Sequence, residues 1–129
     1  MKFGYTILYV EDVDATMAFY ELAFGLKRGM LTEEKDYGQM KTGGTTLAFA
    51  KHSLIQGQLG ALYEPTQRSG RAPSFELGLI TENVEEAHQR AVQAGAEDIQ
   101  APTKKPWGQV VSYVRDCNGF LVELCSPMG

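Results

Sequence analysis

The chain repeats itself. Gly25 and Gly95 stand 70 residues apart, as do Tyr37-Gly38-Gln39 and Trp107-Gly108-Gln109, while Asp12-Val13 and Asn83-Val84 stand 71 apart. One residue is therefore gained or lost around a helix between two otherwise parallel copies. In the first copy, residues 5–10 (Tyr-Thr-Ile-Leu-Tyr-Val) are aromatic and β-branched and read as a buried strand. Val13, Met17, Tyr20 and Phe24 then recur at helical spacing, with Asp12 as N-cap and Gly25 as the stop. Strand-like runs follow at roughly 26–32, 36–42 and 45–51, the last two joined by Gly43-Gly44. The second copy offers a strand over 75–81, a cap at Asn83, a helix over 84–94 and strands near 97–101, 108–115 and 119–125. Asn118-Gly119 supplies its final hairpin turn.

Each copy therefore reads strand–helix–strand–strand–strand. A βαβββ unit this small cannot cover both faces of its sheet, so two units in one α+β chain are expected. The predicted organisation is a single domain over 1–129, with module one at about 1–51 and module two at about 74–129. Between them, residues 52–73 lack periodicity, carry Gly57, Gly60, Pro65, Gly70 and Pro73, and read as a linker or flap.

Composition narrows the chemistry. Hydrophobic residues are 43% and charged residues 22%, ordinary for a globular chain and unlike a disordered one. A net charge of −4 leaves no broad basic face for phosphate backbones, so nucleic acid is not an expected partner. No apolar run reaches the roughly 18 residues of a membrane span, and Met1-Lys2-Phe3-Gly4-Tyr5 lacks the apolar core of a signal peptide. A cytoplasmic protein without membrane contact is expected, with Cys117 and Cys125 as reduced thiols. The two histidines show no zinc-ligand spacing, and no nucleophile elbow or phosphate loop occurs. His88, beside Glu85, Gln89 and Arg90, reads as a solvated helix residue, and His52 as the first residue of the linker.

Two stretches carry a family resemblance: Phe19-Tyr20-Glu21-Leu22-Ala23-Phe24-Gly25-Leu26, and Asp116-Cys117-Asn118-Gly119-Phe120-Leu121-Val122-Glu123-Leu124. With the duplicated βαβββ plan they resemble the vicinal oxygen chelate superfamily, which contains glyoxalase I, bleomycin-resistance proteins, extradiol dioxygenases and fosfomycin-resistance enzymes. Cys117 and Asn118 replace the usual proline and second aspartate of the final turn, which a turn tolerates. The resemblance implies two tandem modules forming a U-shaped mixed sheet, and a homodimer.

It also implies four metal-ligand positions, here Tyr5, Ala48, Glu76 and Glu123. Strand alternation places these on one face, because Leu47 and Phe49, Phe75 and Leu77, and Val122 and Leu124 flank the last three with apolar side chains. Iron-dependent dioxygenase chemistry needs two histidines and a carboxylate, and these positions hold no histidine. A lyase or isomerase of the glyoxalase type would use Glu123 as base or ligand and Glu76 as second ligand, around Mn, Mg, Zn or Ni.

The leading reading is instead a small-molecule (drug or metabolite) binding protein without an intact metal site and without a cofactor, as in drug-sequestering antibiotic-resistance members. Its pocket would be walled by Tyr5, Ile7, Tyr9 and Ala48 from one copy. The other would add Gly78, Trp107, Val111, Tyr113 and Leu121, with Glu76 and Glu123 as charges. Small residues at Ala48 and Gly78 leave volume, and aromatic walls with two carboxylates suit a cationic or planar aromatic ligand. The duller alternative is that Glu76 and Glu123 pair with Arg115 or a lysine, and that Arg68 and Arg71 are solvated.

Overall fold

The computed structural model describes residues 1–128. The described residues form two compact units, Met1–Pro65 and the chain from Thr66 onward.

The first unit runs β1 (Tyr5–Val10), α1 (Val13–Phe24), β2 (Lys27–Leu31), β3 (Tyr37–Lys41), β4 (Thr46–Lys51) and α2 (His52–Leu59). Asp12 accepts the Ala15 N–H at 3.0 Å and begins α1; Gly25, at φ 69°, ends it by donating its N–H to Glu21 O. The sheet order is β1-β4-β3-β2, with β1 parallel to β4 and the other pairs antiparallel. Leu8, Val10, Met40 and Phe49 turn toward Val13, Met17 and Tyr20 of α1, and all seven are buried. Gly38 sits under this helix: a Cβ there would collide with the Met17 side chain.

The second unit repeats the plan with β5 (Glu76–Ile80), α3 (Val84–Gln93), β6 (Glu97–Lys104), β7 (Val110–Arg115) and β8 (Leu121–Cys125), in sheet order β5-β8-β7-β6. Asn83 caps α3 by accepting the Glu86 N–H at 3.1 Å. Val84 and Ala91 of α3 are buried with Val114, Val122 and Leu124 of the sheet. The fold is thus α+β, with two four-stranded mixed sheets and three helices.

Two expectations need correction. Residues 52–59 form α2, where no regular structure is legible. Only His52 of that helix is buried, so it lacks the apolar stripe by which helices are recognised. His88 is not solvated: it is 6% exposed, with Nδ1 2.9 Å from Ser112 Oγ and Nε2 3.0 Å from Asp98 Oδ1.

The strands also reassign the repeat. Ile7, Ala48 and Gln39 form one row across the first sheet, and Gly78, Glu123 and Tyr113 the matching row across the second. Their separations are 71, 75 and 74 residues, so the register drifts between copies. Tyr37-Gly38-Gln39 lies within β3, whereas Trp107-Gly108-Gln109 lies in the turn before β7, with Gly108 at φ 95°. Among the described residues no helix is long and apolar enough to cross a membrane.

Candidate functional site

In the second unit, parallel pairing places Glu76 beside Leu121 and Gly78 beside Glu123. Antiparallel pairing sets Glu123 opposite Tyr113, and Cys125 opposite Val111. Since side chains alternate along a strand, Glu76, Gly78, Leu121, Glu123, Cys125, Val111 and Tyr113 share the face away from α3. Val122, Leu124, Ser112 and Val114 take the helix face and are buried.

On the face away from α3 the Tyr113 hydroxyl donates to Glu123 Oε1 at 3.0 Å. Burial, the bond to Glu123 and the adjacent negative charge push the Tyr113 phenol up to about 12, so it remains a donor at neutral pH. Burial first, then the hydrogen bond and charge of Glu123, raises the Glu76 carboxyl above its ordinary value. The Cys125 thiol is raised by burial and then by Glu123. A raised thiol is a poor nucleophile, and Cys125 is buried, which makes it a packing residue.

Neither carboxylate takes part in a salt bridge among the described residues. The expected pairing with Arg115 is not made. Its guanidinium donates to the carbonyls of Gly70 (2.7 Å), Gly119 (2.9 Å) and Gln67 (3.2 Å), so it straps residues 67–70 to the β7–β8 turn. Arg68 likewise donates to Gly95 O at 2.7 Å. Beside the carboxylates, Gly78 faces open space: a Cβ there would meet nothing within 4 Å.

In the first unit the face away from α1 carries Tyr5, Ile7 and Tyr9 from β1 and Ala48 from β4. Tyr5 and Ile7 are exposed, but Ala48 is fully covered and offers no free volume. Tyr9 packs against Tyr63, with ring centroids 4.9 Å apart. Tyr63 is held in turn by His52, whose Nδ1 lies 2.8 Å from the phenol oxygen. Sequence reasoning placed His52 only as the first residue of the linker and missed Tyr63. An aromatic side chain in a polar, Gly- and Pro-rich segment was the available signal.

Trp107, expected along the wall, is 64% exposed in the β6–β7 turn and donates its Nε1–H to Gln109 Oε1 at 2.9 Å. Among the described residues no three His, Cys, Asp or Glu side chains come together to hold a metal ion. The two carboxylates of the second unit, one already bound by Tyr113, would hold a divalent metal only with water or ligand oxygens completing its shell.

The comparisons with known proteins agree with this architecture. The model of the Glyoxalase/Bleomycin resistance protein/Dioxygenase superfamily matches residues 2–124. A glyoxalase-related enzyme from Fulvimarina pelagi is similar in structure, with a TM-score of 0.83, 21% identity and coverage of 98% of this chain and 88% of that one. A family enzyme from Burkholderia phytofirmans PsJN gives a TM-score of 0.82 at 21% identity, covering 98% of each chain. TioX from Micromonospora sp. ML1 gives 0.72 at 21% identity, again covering 98% of each. At such identity these likenesses establish the fold and leave function to the site. No curated protein matches the chain.

Proposed function

Because the chain belongs to the glyoxalase/bleomycin resistance protein/dioxygenase superfamily, we propose that it binds a small organic cation with a planar aromatic body on the second sheet. The ligand lies on the face away from α3, its charge against Glu76 and Glu123 and its ring over the open Gly78 position. The observation that carries this reading is the pairing of an open glycine position with carboxylates that no Lys or Arg neutralises among the described residues. Carboxylates brought together at a sheet face repel one another, and a cationic ligand relieves that repulsion. Half-buried Tyr113 and Leu121 supply the apolar flank.

The donor set favours this binding role over a metal-dependent lyase or isomerase. Glyoxalase-type isomerisation stabilises an enediolate on a metal, and Glu76 and Glu123 would supply only two protein ligands for one. Calorimetric titration with proflavine, a planar aromatic cation, tests the proposal. Gly78→Phe sets a ring on the open position, where a Cβ meets nothing within 4 Å. It is expected to weaken proflavine binding by roughly tenfold or more, and neutral acridine is expected to bind less well than proflavine. Equal affinity in wild type and Gly78→Phe would sink the assignment.

A further inference from the structure

A cavity lies on the helix side of the second sheet, along α3. Its volume is about 550 Å³, and it is lined by Glu85, His88, Gln89, Val92, Gln93, Asp98 and Pro102. Small-ligand sites commonly span roughly 300–1,000 Å³. The five helix residues stand at i, i+3, i+4, i+7 and i+8, which is one face of α3. Asp98 and Pro102 come from β6, which packs against the same helix. The cavity is therefore a groove between a helix and a strand. From Glu85 to Gln93 the helix face measures roughly 12 Å, at about 1.5 Å rise per residue.

The lining selects a chemistry. Glu85 and Asp98 bring two negative charges from different elements, and no Lys or Arg lines the groove. The Asp98 carboxylate is held in place by His88 Nε2 at 3.0 Å, and His88 is itself fixed by Ser112. Both imidazole nitrogens are thus engaged, which leaves no nitrogen to ligate a metal. Val92 and Pro102 supply apolar surface, and the Gln89 and Gln93 amide oxygens can accept N–H bonds along the wall.

We propose that this groove is a second binding site and that it takes a linear aliphatic diamine. One ammonium group pairs with Glu85 and the other with Asp98, while the methylene chain lies on Val92 and Pro102. An ammonium–carboxylate contact is charge-assisted at each end, and the apolar spacer rewards a diamine over two separate amines.

The test is calorimetric titration of the full chain with 1,5-diaminopentane at low ionic strength, with pentylamine as the one-ended control. The diamine is expected to bind roughly tenfold or more tightly than pentylamine, because both carboxylates are engaged. Glu85→Gln is expected to weaken the diamine by about the same factor and leave pentylamine at Asp98 little changed. Gln89→Glu adds a carboxylate to the groove and is expected to tighten binding, a gain that misfolding cannot produce. Absence of diamine binding would overturn the proposal. So would equal affinity for diamine and monoamine, which is the behaviour of a diffuse counterion atmosphere. Binding that survives Glu85→Gln but is lost in Glu123→Gln would place the cation on the opposite face of the sheet and overturn it as well.

Discussion

At the residue scale, His88 ties two strands of the second unit to the helix that covers them. It joins fully buried Ser112 of β7 to Asp98 of β6. Replacing it with leucine preserves bulk but strands the Ser112 hydroxyl in the core. His88→Leu is therefore expected to cost about 2–3 kcal/mol, read as a lower urea midpoint. Glu76 gives a pH-dependent counterpart. Its carboxyl is raised in the folded chain, so the native state holds that proton more tightly than the unfolded one. This contribution to stability is complete below the ordinary value of 4.5 and is lost as pH rises through the folded value. Glu76→Gln imitates the protonated form at every pH. It is expected to match wild type in acid and to exceed it in urea midpoint at neutral pH; the same difference at both would contradict the role assigned to burial and Glu123.

At the scale of elements, two strand glycines with opposite surroundings are an internal control. Gly38 of β3 lies directly beneath Met17 and Val13 of α1, and a methyl group there must push the helix away. Gly38→Ala is expected to lose about 1–3 kcal/mol by overpacking. Gly78 of β5 faces open space, and Gly78→Ala is expected to be neutral or to gain up to about 1 kcal/mol as backbone entropy is removed from the unfolded chain. Chemical denaturation of the pair reads both signs. Why some elements were legible follows from the same local physics. The helices α1 and α3 announce themselves through side-chain caps at Asp12 and Asn83 and buried positions at helical spacing. The strands show hydrophobic alternation that their registers reproduce. By contrast, α2 has no side-chain N-cap and one buried residue, so it leaves almost no trace in the sequence. His88 misleads for a different reason: its neighbours along the helix are polar, while its partners lie 10 and 24 residues away.

At the scale of the whole molecule, duplication gives two sheets of the same order that have diverged in chemistry. The row Ile7–Ala48–Gln39 is neutral, and Ala48 is fully covered. The matching row Gly78–Glu123–Tyr113 has an open glycine, a carboxylate and a phenol hydrogen-bonded to it. Sequence markers 70 residues apart obscure this correspondence, because insertions between strands shift the later rows by several residues. Trp107, expected along the ligand wall, lies in the turn before β7. Glu76 and Glu123 were legible, since each stands alone as a charge between apolar strand neighbours. The absence of a nearby cation and the strap made by Arg115 were not, because they depend on which distant carbonyls a guanidinium reaches.

Backbone amide NMR of the chain titrated with proflavine tests the central claim most directly. The expected result is saturable shifts concentrated at residues 76–80, 111–113 and 121–125, stronger as pH rises and Glu76 loses its proton. No saturable shifts, or shifts that avoid these three strands, would contradict the account.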